Sequence, residues 1–179
     1  MHPDSYVVLV LRVLGGIVSI EPSEAPVKPA DALEWEAASA YHGVRQGIDP
    51  FELIAIARNE TDFRPELVGP DGKDCGLTQT RVLYSRYRCS ELRRSSWIAF
   101  KEAARELTEN QSRCQRTARG DLARCRINSY NSGVRYARQG WKGRYWLRVT
   151  CFADMARAGV RPRGDCRKVG TRLDITRNR

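Results

Sequence analysis

The sequence has few of the residues from which proteins build metal sites. Histidine occurs only as His2 and His42 among 179 residues, and none of the six cysteines belongs to a Cys-x-x-Cys pair. Structural zinc sites need four such ligands at characteristic spacings. Because no such spacing is present, the sequence predicts no bound metal.

A hydrophobic run long enough for a membrane helix is also absent, since such a helix needs about 20 apolar residues. The longest apolar stretch, residues 6–20, is interrupted by Arg12 and is not preceded by a basic segment. Three interpretations fit this stretch: a degenerate export signal, a short anchor, or an element that packs on a partner. We therefore predict no full membrane span.

Nothing in the chain repeats at a fixed period, and 179 residues suffice for one well-cored domain with tails but not for two full domains. Three prolines within residues 21–30 indicate an extended linker. We expect an apolar N-terminal segment with its linker at 1–30, one folded domain at 31–160, and a basic C-terminal tail at 161–179.

Acidic side chains are scarce in the later part of the chain. Residues 81–179 carry 25 Lys and Arg but only 8 Asp and Glu, whereas residues 1–80 carry 6 and 13. A basic region of this kind suits a polyanionic partner, such as nucleic acid, a membrane surface or an anionic cell-wall polymer. An ordinary solvated surface rich in arginine explains the same composition.

The six cysteines make an even number, and all of them lie after residue 74. Three disulfides formed in an oxidising compartment explain this count best, so we expect an exported protein. The alternative is six reduced, buried thiols. Six cysteines allow fifteen pairings. If the shortest loops close, the bridges are Cys75–Cys89, Cys114–Cys125 and Cys151–Cys166.

Apolar residues recur at helical spacing in five segments, which predicts a mainly helical domain. Leu33 lies on the apolar face of the first helix and Trp97 on that of the third. Turn residues at 69–72 predict a loop or small hairpin over residues 64–80. The predicted helices cover residues 31–44, 50–60, 95–109, 121–130 and 145–158. The expected fold class is therefore mainly α, with one small β-prone hairpin.

The second predicted helix carries a carboxyl on its buried face. Leu53, Ile56 and Ala57 repeat at i, i+3 and i+4, and the i+7 position is Glu60. A carboxyl in partly apolar surroundings is desolvated, which raises its pKa and keeps it protonated near neutral pH as a general acid. The alternative is a helix that frays near Asn59 and leaves Glu60 in water.

Three short motifs follow one another around this glutamate: AIARNETDF at 55–63, DCGLTQT at 74–80 and INSYNSGV at 127–134. In this order they resemble the motifs of lytic transglycosylases of the soluble, goose-lysozyme-related family. In that family a Glu-Ser pair ends a buried helix, Gly-Leu-x-Gln opens the next segment, and Ala-Tyr-Asn lies downstream. The resemblance covers roughly residues 45–158. It implies an α+β, lysozyme-like domain whose helices surround a substrate cleft.

The resemblance also implies roles for the matching residues. Glu60 would be the sole catalytic acid/base, and Tyr130 would hydrogen-bond to its carboxyl and orient it. No metal or organic cofactor would take part. The residues implied to bind the substrate are Thr61, Gly76, Leu77, Gln79, Tyr130, Asn131 and Tyr145.

Small departures from the family pattern are present. Thr61 replaces the usual serine, Thr78 stands where a methionine often lies against the sugar, and Ser129 replaces an alanine. None of these changes removes a titratable group. The six cysteines are not general to the family, and they indicate extra bracing of an exported form, in periplasm or cell wall, or of a virion-associated form.

The implied reaction cleaves the bond between N-acetylmuramic acid and N-acetylglucosamine. A hydrolase would pair two carboxylates across this bond, but Asp62 faces away from Glu60 on a helix, and Asp71 and Asp74 lie on the loop, from which they could swing near. A substrate-assisted route is therefore favoured. In the family that the motifs resemble, the muramic 6-hydroxyl attacks its own anomeric carbon and gives a 1,6-anhydro product.

Three other functions fit the sequence less well. The first is a muramidase that uses water, and the second is a non-catalytic, wall-binding structural component of a secretion machine or phage tail. The third is nucleic-acid binding, for which only residues 133–146 mix aromatic with basic side chains. The expected partners are thus peptidoglycan glycan strands, with a phage-tail or secretion assembly as a further candidate and no specific nucleic acid.

Overall fold

Six α-helices account for most of residues 28–117, 121–133, 144–158 and 166, which are the residues that the structure, a computed structural model, describes. The helices are α1 (Pro29–Gln46), α2 (Pro50–Thr61), α3 (Cys89–Arg94), α4 (Ser96–Thr117), α5 (Leu122–Ser132) and α6 (Tyr145–Ala158). Strands β1 (Asp74–Cys75) and β2 (Thr80–Arg81) pair antiparallel, and a 3-10 turn, Val82–Tyr84, follows them. The predicted mainly α fold with one small hairpin is confirmed.

The helix α2, which ends beside the candidate site, has clear start and stop signals. The Asp49 side chain accepts a hydrogen bond from the backbone N–H of Phe51 at 2.9 Å, and Pro50 suits the first helical position. The helix stops at Asp62, whose φ of 56° is left-handed. Glu52, in the first turn, forms an ion pair with Arg126 on α5.

The core forms where α2 contacts α1 and α6, and where α4 contacts α1 and α5. The predicted stripe of Leu53, Ile56 and Ala57 is completely buried, as are Phe100 and Leu107 on α4. Burial of this apolar surface, at about 25 cal/mol per Å², is the main favourable contribution to folding. It also holds the end of α2 in a fixed position.

Two apolar residues do not lie where the helical spacing predicts. Leu33 is 56% exposed and Trp97 is 40% exposed. The buried face of α1 is rotated about the helix axis relative to the predicted face, because Trp35 stacks on Phe63. The two ring centroids are 5.3 Å apart, and the ring planes are inclined by 18°. Trp97 meets Tyr41 at the surface, with centroids 5.7 Å apart, rather than in the core.

All three disulfides that the shortest loops predict are present: Cys75–Cys89, Cys114–Cys125 and Cys151–Cys166. They join β1 to α3, α4 to α5, and α6 to the segment that follows it. Their presence is compatible with an oxidising compartment. None of the described helices is both long and apolar enough to cross a membrane.

Several predictions fall outside the described residues. These are the interpretation of residues 6–20, the linker before residue 28 and the basic tail apart from Cys166, together with most of the aromatic and basic stretch at 133–146. They stay predictions. The first helix begins at Pro29, two residues before the expected domain start at residue 31.

Candidate active site

Glu60 lies in the last turn of α2, which continues through Thr61 instead of fraying at Asn59. The side chain is only partly accessible, and its Oε1 atom has no hydrogen-bond partner among the described residues. Burial raises the pKa of Glu60 above its ordinary value, and the charge of Asp74 adds to that effect. Tyr145, Asn59 and Arg148 lower the pKa but do not cancel the effect of burial.

The hydroxyl of Tyr145, the first residue of α6, faces this carboxyl. Each group shifts the pKa of the other, yet the Tyr145 hydroxyl does not reach hydrogen-bond geometry with any described residue. The Arg148 guanidinium lies over the Tyr145 ring, 5.9 Å from its centroid. More than nine in ten buried polar groups in proteins are paired. Glu60 Oε1 and the Tyr145 hydroxyl have no hydrogen bond of ordinary geometry and meet only in a loose contact that also includes Asn59, so they mark a place for a ligand or water.

Tyr130 does not hold the Glu60 carboxyl as the resemblance implies. Its hydroxyl donates a hydrogen bond of 2.8 Å to the carbonyl oxygen of Thr78. Burial raises the pKa of Tyr130 well above its usual value, and the charges of Glu106 and Glu60 raise it further. Tyr130 therefore positions the loop after β1, and the hydroxyl beside Glu60 belongs to Tyr145.

Three of the residues expected to bind substrate are buried and shape the site: Thr61, Gly76 and Leu77. The Thr61 hydroxyl lies 2.8 Å from the carbonyl oxygen of Leu77 and 3.1 Å from that of Ala57, so it ties the end of α2 to the loop after β1. Gly76 has a φ of 76°, and a Cβ there would lie 2.4 Å from the carbonyl oxygen of Leu92. Only glycine fits this close approach.

Thr78 is also buried and does not point towards a substrate, because its hydroxyl lies 3.0 Å from that of Thr80 and 3.3 Å from the carbonyl oxygen of Ala99. Gln79 is partly exposed, and its amide nitrogen donates to the carbonyl oxygens of Leu67 (3.2 Å) and Gly76 (3.0 Å). Asn131 is exposed on the last turn of α5. Gln79 and Asn131 are thus the expected sugar-binding residues that remain accessible.

The backbone is strained directly after Glu60 and again at Gln79. Among the described residues, the only non-glycine residues with positive φ are Asp62 (56°), Phe63 (62°) and Gln79 (48°). Such conformations cost on the order of 1–3 kcal/mol each and cluster at functional sites. The surrounding structure stabilises them, since Asp62 forms an ion pair with Arg58, and Phe63 stacks on Trp35. This strain marks the same segments as the sequence motifs.

A second carboxyl near the site was missed in the sequence. Burial raises the pKa of Glu106, on α4, to about 7; the charges of Glu109, Asp74 and Glu102 add to this effect, and Arg105 opposes it. The signal was available, because Ala99, Ala103 and Glu106 stand at i, i+4 and i+7 on the buried side of α4. The apolar stripe of α4 that is counted from Trp97 does not include Glu106, so this pattern was overlooked.

The aspartates near Glu60 differ in accessibility. Asp62 is buried in its ion pair with Arg58. Asp71 is exposed and lies 3.4 Å from Arg81 and 3.7 Å from Lys73. Asp74 is the one whose charge raises the pKa of both Glu60 and Glu106. Glu60, Tyr145, Tyr130, Glu106 and Asp74 therefore form one electrostatically linked group.

No three His, Cys, Asp or Glu side chains come together as a metal site within residues 28–117, 121–133, 144–158 and 166. The linked group can hold a proton near neutral pH and exchange it with a bound molecule. Comparisons of the chain with protein-family models, with curated proteins and with solved structures found no match.

Proposed function

We propose that this protein is a peptidoglycan lytic transglycosylase in which Glu60 is the catalytic acid/base. The observation that carries the proposal is the largely buried Glu60 carboxyl at the end of α2, whose Oε1 atom has no hydrogen-bond partner among the described residues and whose pKa is raised by burial. A general acid must keep its proton at the working pH and release it in the transition state. The strained residues that follow Glu60, Asp62 and Phe63, and the order of the three motifs support the same function.

In the first step, protonated Glu60 donates its proton to the glycosidic oxygen between N-acetylmuramic acid and N-acetylglucosamine. The bond from that oxygen to the anomeric carbon breaks, and positive charge develops on the sugar ring. Glu60 is then a carboxylate. The Tyr145 hydroxyl beside it stabilises this charged form, which is consistent with its lowering of the Glu60 pKa.

In the second step, the Glu60 carboxylate accepts the proton of the muramic 6-hydroxyl while that oxygen bonds to the anomeric carbon. The product is a 1,6-anhydro sugar, and Glu60 regains its proton, so no water is consumed. Attack from within the substrate is favoured because the reacting atoms already belong to one molecule. Gln79 and Asn131 would hold hydroxyl or acetamido groups of the sugars.

A water-using muramidase is the second candidate, and the linked carboxyls Asp74 and Glu106 favour it. A hydrolase needs a second carboxylate to activate water or to attack the sugar. Either residue could serve if a glycan strand lies between it and Glu60. A non-catalytic wall-binding component of a secretion machine or phage tail is the third candidate.

Digestion of purified peptidoglycan, followed by mass analysis of the released muropeptides, separates the three candidates. A transglycosylase releases products that are each lighter by one water than the hydrolytic products. A muramidase releases reducing-end sugars, and a structural component releases nothing. The Glu60→Gln variant is the control, because its release should fall to the background of buffer alone. Predominantly reducing-end products would overturn the transglycosylase in favour of the muramidase.

We also propose an exported or virion-associated location, where glycan strands are accessible. The three disulfides support an oxidising compartment. The basic composition of residues 81–179 supports binding to an anionic wall. A phage-tail or secretion assembly is the further partner to test, by co-purification from the source that produces the chain.

A further inference from the structure

A cluster of aromatic and basic side chains lies at the surface where α1 meets the first turns of α4. Trp97 contacts Tyr41 and His42, with ring centroids 5.7 Å from each, and the centroids of Tyr41 and His42 are 5.0 Å apart. All three pairs are edge-on rather than stacked. We name Tyr41, His42, Trp97, Arg45 and Lys101 the aromatic surface.

Two cations complete this surface. The Arg45 guanidinium lies 5.3 Å from the centroid of the Tyr41 ring. The Lys101 ammonium donates a hydrogen bond of 2.8 Å to the Tyr87 hydroxyl and lies 5.4 Å from that ring's centroid. Both cations are exposed, and neither pairs with a carboxylate in the part of the chain that the structure describes. Their charges remain available to an anionic ligand.

His42 reports the positive potential of the aromatic surface. Burial lowers the pKa of His42 below its ordinary value, and the charges of Lys101 and Arg45 lower it further. The imidazole is therefore neutral at neutral pH and acts as an aromatic ring, while the positive charge comes from Arg45 and Lys101. A ligand with both a flat apolar face and negative charge fits this combination.

The aromatic surface is separate from the candidate active site. Trp97 and Glu106 are nine residues apart on α4, and at 3.6 residues per turn that separation places them on opposite sides of the helix, about 180° apart. Glu106 is linked to Tyr130 and Asp74, whereas Trp97 contacts Tyr41 and His42 on α1. A ligand at the aromatic surface would not occupy the space beside Glu60.

We propose that the aromatic surface is a second, non-catalytic binding site for anionic glycan strands. The proposal rests on the proposed function in that the strand is the wall polymer which Glu60 would cleave. The flat face of a sugar ring packs on an aromatic ring, and Trp97 offers the most exposed ring of the cluster. Arg45 and Lys101 would contact the carboxylates of the attached peptide.

A glycan fits the aromatic surface better than single-stranded nucleic acid does. Proteins that bind single strands stack successive bases on successive open aromatic faces. Here a cation covers one face of the Tyr41 ring and one face of the Tyr87 ring, so Trp97 is the main ring left for stacking. One ring with cations on either side accommodates one sugar unit and its neighbouring charges.

The test measures binding of the full-length Glu60→Gln variant, which leaves the polymer intact, to purified sacculi and to uncharged N-acetylglucosamine oligosaccharides. Adding Trp97→Ala should weaken binding to both probes by about fivefold or more. Adding Arg45→Gln and Lys101→Gln should weaken binding to sacculi only, and most strongly below about 0.15 M salt. The matched control is Tyr84→Ala, which removes an aromatic ring that is 66% exposed outside the aromatic surface.

Each outcome decides a separate point. Unchanged sacculus binding in the Trp97→Ala and Lys101→Gln variants would overturn the aromatic surface, even if the wild-type protein releases anhydro-muropeptides. If these variants lose binding to single-stranded DNA while their binding to glycan is unchanged, the proposed glycan site is also overturned, and nucleic acid is favoured as the ligand of the aromatic surface. If binding depends on Trp97 while the wild-type protein releases no muropeptides, the proposed function fails and the aromatic surface stands.

Thermal unfolding of each variant identifies a folding defect. If Trp97→Ala unfolds, Lys101→Gln, which changes an exposed side chain, tests the aromatic surface in its place.

Discussion

Helix α2 carries two largely buried glutamates, one near each end, and their surroundings differ. Near the start, Glu52 forms an ion pair with Arg126, and their side chains are 12% and 10% exposed. Arg126 also donates a hydrogen bond of 2.7 Å to Gln111 on α4. Near the end, Glu60 Oε1 has no hydrogen-bond partner in the described part of the chain. Burial is the largest influence on the pKa of both carboxyls and raises both.

The difference shows that burial alone does not make a carboxyl reactive. The buried Glu52 carboxyl is paired with Arg126, which links α2, α4 and α5, and removing either partner would leave the other buried and uncompensated. At Glu60, burial outweighs the contacts with Tyr145, Asn59 and Arg148 that favour the charged form, so this carboxyl binds its proton more tightly than an exposed one does. The same residue type on one helix thus has a structural role at one end and a proposed chemical role at the other.

The largest expected effect is on activity, from Glu60→Gln. We expect wall lysis to fall 10²–10⁴-fold, roughly the contribution of a general acid, because the amide has no proton to donate at neutral pH. The unfolding midpoint should stay the same or rise slightly, since the variant removes a carboxyl whose charged form burial disfavours. Turbidity of a sacculus suspension gives the rate, and circular dichroism gives the midpoint. Lysis near the wild-type rate would exclude Glu60 as the acid.

Glu52→Ala should have the opposite profile. Removing one partner of a buried ion pair leaves Arg126 without its carboxylate, and such changes cost about 3 kcal/mol or more. We therefore expect a lower free energy of unfolding in urea but lysis by the remaining folded protein within a few fold of wild type. A double variant, Glu52→Ala with Arg126→Met, should recover part of the stability. A variant that is stable but inactive would contradict the comparison.

The residues that could be found from sequence are those whose signal is local. Glu60 follows from helical periodicity within eight residues, and the short disulfide loops follow from spacing along the chain. The helix α3 was not predicted, because six residues are too few for periodicity. Glu106 has the same i, i+4, i+7 signal as Glu60, but the apolar stripe of α4 was counted from Trp97 and does not include Glu106, although Phe100 and Leu107 on that stripe are buried as expected.

The remaining features depend on tertiary structure. Either Tyr130 or Tyr145 could supply the hydroxyl beside Glu60, and only the packing of α6 against α2 selects Tyr145. Thr61 carries the hydroxyl expected of the family position, yet the approach of the Leu77 carbonyl directs that hydroxyl into the protein. The aromatic surface combines α1 with α4 and has no sequence motif.

A third prediction concerns pH and the second linked carboxyl. The folded pKa of Glu106, about 7, lies above its reference value of 4.5, so the folded state binds more protons between these values. The free energy of unfolding should therefore fall as pH rises from about 4.5 to about 7. Glu106→Gln should reduce this fall by on the order of 2 kcal/mol, after allowance for its partial exposure. Urea titrations across this pH range measure the effect.

The Glu106→Gln variant should not abolish the slope, because the pKa values of Glu52 and Glu60 are also raised. The matched control is Glu109→Gln, one turn away, whose side chain is 44% exposed in its pair with Arg105. Because the Glu109 charge helps to raise the pKa of Glu106, this variant should reduce the slope slightly, and by less than Glu106→Gln does. If both variants give the wild-type slope, Glu106 does not titrate in this window, and its candidacy as a water-activating residue in a muramidase is weakened.

The smallest expected effect distinguishes the two tyrosines. Tyr145→Phe removes the hydroxyl that lowers the Glu60 pKa, so the alkaline limb of the lysis profile should move to higher pH by less than about one unit. Stability should change less than in Tyr130→Phe, because the Tyr145 hydroxyl makes only a loose contact with Glu60 and no hydrogen bond of ordinary geometry. Tyr130→Phe instead removes the bond to Thr78, so it should lower stability by about 1 kcal/mol without moving that limb. If Tyr130→Phe shifts the alkaline limb of the lysis profile and Tyr145→Phe does not, then Tyr130 orients the Glu60 carboxyl, as the resemblance implies.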